Sequence, residues 1–279
     1  MEPVLGRVRT RDGRTLTTYE WGSGPDLVVL EAGLGFGGRY WGPVARLVAE
    51  RARVVAYDRA GFGDSTPDPQ PRTLQRLGDD LRQLVEARAG GRVVLCGHSW
   101  GGPIIRVAAS SMDPELLAGL VLVDPSDEGA RLYDSHGWVL SERLTALLMP
   151  VLARTGVLRL SIAAMTRRYL TATDRAAMVA SSSSVQAART TMAEDAHFRA
   201  GLAYLRREAT FPQVPVTVLS GVRYARFTPG RADLIRAHRQ TADRSPQGRV
   251  VPARASQHLI PLTEPELIAA EVLRLLPRG

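Results

Sequence analysis

Residues 92–102 read Arg92-Val93-Val94-Leu95-Cys96-Gly97-His98-Ser99-Trp100-Gly101-Gly102, and the meaning of this stretch decides the fold. The apolar run closed by a glycine predicts a buried strand, and Pro103 to Ser111 predicts a helix. One serine stands between them. In Gly97-x-Ser99-x-Gly101 the small flanking residues let the chain reverse tightly, so that the hydroxyl stands clear of the backbone and the N–H of Trp100 faces the same space. Glycine and serine share many turns. The strand before and the helix after are what make Ser99 a candidate nucleophile.

Working outward, the chain alternates strand and helix on both sides of this turn. Val4 to Glu20 alternates around Asp12-Gly13, the signal of an antiparallel hairpin. Leu27 to Leu30 predicts a buried strand leading into a glycine-rich loop, residues 31–38, and Pro43 to Glu50 predicts a helix. Val54 to Tyr57 is a further strand, and Leu74 to Ala89 has helical periodicity through Leu74, Leu77, Leu81, Leu84 and Val85. Gly119 to Val123 is a strand ending at Asp124-Pro125. From Ser126 to about Phe211 the pattern becomes helical, and strand and helix then resume with Val216 to Leu219, Ala232 to Gln240, Arg249 to Val251 and a last helix. Thr263-x-x-Glu266 has the form of a capping box for that helix. The pattern predicts an α/β fold: a mostly parallel central sheet with helices on both faces, formed by residues 1–125 and 212–279, with an inserted helical cap, 126–211. Ligands of such sheets collect at the carboxyl ends of the strands, where Ser99, Leu34 and Asp124 all fall.

Composition narrows the function classes. The 279 residues are 44% hydrophobic and 23% charged, enough for one domain with a sizeable core. The formal net charge is +8, yet the arginines are scattered without a basic run or interleaved aromatic residues, which argues against nucleic-acid binding. Cys96 is the single cysteine, so neither an internal disulfide nor a thiolate metal cluster is available, and its place in the strand is that of a small buried apolar residue. No His-Glu-x-x-His or clustered histidine spacing points to a metal, and nothing points to a redox cofactor. The charged amino terminus has no signal-peptide core. Pro150, Arg154 and Arg159 interrupt the apolar stretch Leu144 to Met165, so no integral membrane segment is expected. A cytoplasmic protein is the expectation.

A serine hydroxyl needs a base. Of the five histidines, His98 adjoins the serine and reads as packing, His136 and His197 lie in the helical insertion, and His238 sits in an exposed-looking helical pattern. His258 lies in the loop after the last strand. A competing motif is Gly33-x-Gly35-x-x-Gly38 with Asp58 downstream, the shape of a dinucleotide fingerprint. A hairpin precedes its strand, and Gly42-Pro43 starts the helix beyond the glycines rather than within them. Asp58 and Ser65 read instead as braces for the neighbouring loop.

The order of hairpin, glycine-rich loop, Asp58-Arg-x-Gly-x-Gly-x-Ser65, Gly97-His-Ser-Trp-Gly101, helical insertion and Ser256-Gln-His258-x-x-Pro resembles the α/β-hydrolase superfamily, in its serine-nucleophile, esterase- or lipase-like branch with a helical cap. The resemblance covers nearly the whole chain outside the cap. It implies a catalytic Ser99, a proton-relaying His258, and an oxyanion hole made by the backbone N–H groups of Leu34 and Trp100. Ala32-Gly33 replaces the common His-Gly of the early loop, which leaves the backbone donor in place. The family's usual acid follows the strand Val216 to Leu219, but Ser220-Gly-Val-Arg223-Tyr224 has no carboxylate. Some members place the acid after the preceding strand, where Asp124 stands; Asp127, Glu128 and Asp233 are the alternatives. The resemblance thus implies a serine hydrolase cleaving an ester, lactone or related acyl compound, and the apolar content of the helical insertion points to a hydrophobic small-molecule substrate. Carbon–carbon bond hydrolysis or a lyase reaction on the same residues, and a binding protein that retains the fold, are the alternatives. Haloalkane dehalogenases and epoxide hydrolases of this superfamily carry an Asp where Ser99 stands.

Overall fold

The computed structural model describes residues 1–276. Its elements in chain order are β1 (Val4–Arg9), β2 (Thr15–Trp21), β3 (Leu27–Glu31), α1 (Gly42–Val48), β4 (Arg53–Tyr57), α2 (Leu74–Arg88), β5 (Val93–His98), α3 (Gly101–Ser110) and β6 (Leu117–Val123). Five helices follow: α4 (His136–Arg154), α5 (Val157–Thr166), α6 (Ala172–Ser182), α7 (Val185–Asp195) and α8 (Phe198–Arg207). The chain closes with β7 (Val216–Gly221), α9 (Arg231–Ala242), β8 (Arg249–Ala253), α10 (Ile260–Thr263) and α11 (Pro265–Leu275). All eight strands form one sheet in the order β1-β2-β4-β3-β5-β6-β7-β8. The β1–β2 and β2–β4 pairs are antiparallel, and every pair from β4 to β8 is parallel. The fold is the α/β-hydrolase fold that the motif order implied.

Side-chain alternation divides the core into two layers. Leu27 and Val29 of β3 and Leu95 of β5 face a cluster with Leu77, Leu81 and Leu84 of α2 and Ile104 and Ile105 of α3. Their neighbours Val28, Leu30, Val94 and Cys96 face the other way, against Val44 and Val48 of α1 and Ile268 and Val272 of α11. A strand covered on both faces has no position left for a polar alternation, so every residue of β3, β5 and β6 is buried. This layering exposes only the strand ends, and the carboxyl ends of β3, β5 and β6 lie side by side.

The helices between β6 and β7 are packed less deeply. Gly156 takes the left-handed conformation, φ 77°, at the corner between α4 and α5, and the two helices meet at a bend of 95°. Among the described residues no single helix is long and apolar enough to cross a membrane. The capping box expected at Thr263 does not form. Thr263, the last residue of α10, donates its hydroxyl to the carbonyl of Leu259 just before that helix at 2.9 Å, and α11 starts at Pro265, whose missing N–H leaves less to cap.

Candidate active site

Ser99 follows β5 with φ 53°, a left-handed conformation uncommon for a residue with a side chain. Three backbone hydrogen bonds hold it there: its N–H donates to Val123 O, and its carbonyl accepts from the N–H groups of Gly102 and Ser126, each at 3.0 Å. The two glycines are a steric necessity. A methyl group at Gly97 would collide with the backbone of Gly101, and one at Gly101 with the carbonyl of Glu31. Asp124, directly after β6, is the second non-glycine residue in the left-handed region, φ 43°, and its N–H donates to Leu219 O at 2.7 Å.

Three of the expected side chains meet. His258 Nδ1 lies 2.7 Å from Asp124 Oδ2, and His258 Nε2 lies 3.0 Å from Ser99 Oγ. With the Nδ1–H donating to Asp124, Nε2 is left as an acceptor for the serine hydroxyl. Asp124 is fully buried whereas the His258 side chain is half exposed, so the carboxylate end is sealed and the serine end is open. Burial by itself would raise the Asp124 pKa, but hydrogen bonds from His258 and Arg231 outweigh it and hold the carboxyl well below the usual carboxylate range. The other acids considered are engaged elsewhere. Asp127 accepts from the Thr241 hydroxyl, Glu128 forms a bidentate pair with Arg106 at 2.7 Å, and Asp233 accepts from the N–H groups of Arg131 and Leu132.

The position that usually holds the acid in this superfamily has become a backbone contact. The N–H of Gly221, at the end of β7, donates to Asp124 Oδ1 at 3.0 Å. Arg231, the first residue of α9, clamps both Asp124 oxygens through Nη1 and Nη2 and reaches Gly221 O through Nε at 2.7 Å. Sequence reading passed over Arg231. A signal existed, since a cation in the first turn of a helix opposes the helix dipole and needs an anion to justify it.

His98 has a second part in the arrangement. Its Nε2–H donates to the carbonyl of His258 at 2.8 Å, tying the His258 backbone to the turn that carries Ser99, and the two rings lie 4.7 Å apart. Burial first, then the neighbouring His258, brings its pKa down to about 3, so it stays neutral. His238 corrects the expectation of an exposed helix. It is fully buried, with ring nitrogens 2.6 Å from Ser220 Oγ and 2.9 Å from Pro125 O. The arginines around it in sequence disguise a face of α9 on which Leu234, Ala237, His238 and Thr241 all turn inward. Asp58, taken as a brace, accepts from Tyr19 Oη and Gly38 N at 2.7 Å, and the Ser65 hydroxyl donates to Asp58 O.

On the other side of Ser99 the glycine-rich loop carries Leu34. Among the described residues, the N–H groups of Leu34 and Trp100 have no hydrogen-bond acceptor. Behind Leu34, buried Arg59 donates to Ala32 O at 2.8 Å and Gly33 O at 3.0 Å, and is itself paired with Glu31 and with Glu194 of α7. A cavity of about 400 Å³ opens beside this loop, lined by Leu34, Phe36, Trp138, Met149, Ile162 and Met192 among others. Asp195 and Glu142 are the acidic groups in its wall, and burial together with Glu142 pushes the Asp195 pKa up to about 6. Cys96 is buried, and burial raises its thiol pKa. Among the described residues no three His, Cys, Asp or Glu side chains are grouped to hold a metal ion.

Comparison with known proteins bears on this geometry. A family model described as "Alpha/beta hydrolase family" matches residues 28–271. A curated relative, "Putative carbamate hydrolase RutD" of Caulobacter sp. strain K31, is 34% identical over 114 residues, 39% of this chain and 42% of that protein. The chain spans about half the length of the curated relatives it matches. A mutant epoxide hydrolase of Vigna radiata is similar in structure with a TM-score of 0.78 at 16% identity, covering 98% of both chains. An enol-lactonase from Burkholderia xenovorans LB400 is similar with a TM-score of 0.65 at 19% identity, covering 97% of this chain and 99% of that one. At such identities the structural likeness speaks for the fold alone.

Proposed function

We propose, since this chain belongs to the α/β-hydrolase family, that it is a serine hydrolase cleaving a carboxylic ester, lactone or related acyl compound through an acyl-Ser99 intermediate. The observation that carries the reading is the unbroken hydrogen-bonded line from Asp124 through His258 to Ser99, at 2.7 and 3.0 Å. His258 Nε2 takes the hydroxyl proton as Ser99 Oγ attacks the carbonyl carbon. Asp124 keeps the imidazole in the required tautomer and stabilises its cation. The oxyanion of the tetrahedral intermediate accepts from the N–H groups of Leu34 and Trp100, whose lack of internal acceptors supports that role. Collapse expels the alcohol, which takes its proton from His258. Water then repeats the sequence on the acyl-enzyme and regenerates Ser99.

In this reading residues 126–211 act as a cap, and the apolar cavity between them and the glycine-rich loop receives the substrate's hydrocarbon portion. The name of the curated relatives favours a second reading, a carbamate as substrate. The same attack on a carbonyl carbon would serve it. An epoxide substrate finds less support, because the family's epoxide hydrolases attack with a carboxylate where this chain has Ser99.

Ser99→Ala tests the proposal. Turnover of an activated ester should fall roughly a million-fold, with loss of labelling by a serine-directed phosphonate and an unchanged circular dichroism spectrum. Turnover that survives the substitution would sink it. Comparing an ester and a carbamate with the same leaving group separates the two substrate readings.

A further inference from the structure

Helix α4 has no buried residue along its whole length. One side, with Trp138, Glu142, Thr145 and Met149, lines the cavity. The opposite side repeats at helical spacing through Leu140, Leu144, Leu147, Leu148 and Val151, which are 49–71% exposed. Beyond the Gly156 corner, Val157 and Leu160 in α5 continue the series at 44% and 70%. Exposed apolar residues are ordinary when scattered singly, but a consecutive stripe marks a surface that binds something. A second feature identifies what. Between Glu142 and Asp174 the sequence has no carboxylate and five arginines, Arg143, Arg154, Arg159, Arg167 and Arg168, all exposed.

We propose that the outer face of α4 and α5 docks on an anionic phospholipid bilayer. Leucines entering the acyl boundary while arginines meet lipid phosphates is the arrangement of an interfacial helix. Neither helix alone is long and apolar enough to cross a bilayer, and a pair bent by 95° suits one that lies in the interface. A second copy of the chain fits this face poorly. Two-fold pairing would set a segment with five arginines against its own copy, with no carboxylate in the segment to neutralise it.

The test is flotation of the intact protein with vesicles of phosphatidylcholine alone and of phosphatidylcholine mixed with phosphatidylglycerol. The protein should float with the mixed vesicles only, and less so as salt rises. Arg154→Gln with Arg159→Gln should weaken binding about fivefold for each arginine removed, and Leu147→Ser with Leu160→Ser should abolish it. These side chains are exposed and lie outside the cavity wall, so thermal unfolding should be unchanged in both variants, and any basal esterase activity retained. Failure to float with the mixed vesicles, or equal binding to phosphatidylcholine alone, overturns the proposal. So does a dimer in sedimentation that the leucine substitutions dissociate.

Discussion

Two buried arginines stand on either side of Ser99 and are used differently. Arg231 grips Asp124, a side chain in direct contact with His258, so it reaches the hydrogen-bonded line itself. Arg59 grips the carbonyls of Ala32 and Gly33, so it reaches only the backbone that carries the Leu34 N–H. Their neutralisation also differs. Arg59 is shared by two carboxylates, Glu31 and Glu194, while Asp124 is shared by a guanidinium and an imidazole. A buried charge needs close partners in either setting. The contrast teaches that one cluster can set the electrostatics around His258, whereas the other can only aim a dipole.

The largest difference should appear on removing the charge from the first cluster. Asp124→Asn should lower kcat about ten-thousandfold with little change in KM, because the amide favours the wrong imidazole tautomer; steady-state kinetics on an activated ester measures it. A loss below tenfold would mean that Asp124 is a brace for Arg231 and Gly221, and the contrast would collapse.

Glu194→Gln probes the second cluster and should cost less. Arg59 keeps Glu31, so the expected loss in kcat is about a hundredfold or smaller, the scale of one misaimed oxyanion donor. Unfolding in urea should show a destabilisation of up to about 3–5 kcal/mol from the broken buried pair. The pH dependence of kcat should keep its shape, since no group of this cluster touches His258. A displaced pH profile would show that the two clusters are electrically one.

The smallest effect is on stability against pH. His98 has a folded pKa of about 3 against an ordinary 6.5, and burial lowers His238 in the same direction. A depressed folded value means the unfolded chain binds more protons below 6.5, so stability is full above that pH and falls as pH drops toward 3. His98 alone should remove about 2 kcal/mol by about pH 5. Denaturant midpoints measured from neutral pH downward check this, and a flat profile to pH 5 would show that both rings are hydrated in the folded protein.

The α/β-hydrolase fold was legible because its signals are local. The strand before Gly97, the glycines flanking Ser99 and the strand–helix alternation each depend on residues a few positions apart, where backbone sterics and side-chain period decide the outcome. The capping box at Thr263 shows the limit of such signals, since a neighbouring short helix took the hydroxyl first. Buried His238 shows another, because the charged residues beside it in sequence point the opposite way in space.

What only the tertiary structure decided is which distant groups meet. Sequence singled out Ser99, His258, Leu34 and Trp100, and preferred Asp124 to Asp127, Glu128 and Asp233 as the partner of His258. That Asp124 is the acid meeting His258 rests on the packing of β6 beside β7 and the arrival of α9, which deliver the Gly221 N–H and the Arg231 guanidinium to the same carboxylate from 97 and 107 residues away. No local period encodes that meeting. It follows from sheet order and from the cost of burying a charge without partners, and both are properties of the folded chain as a whole.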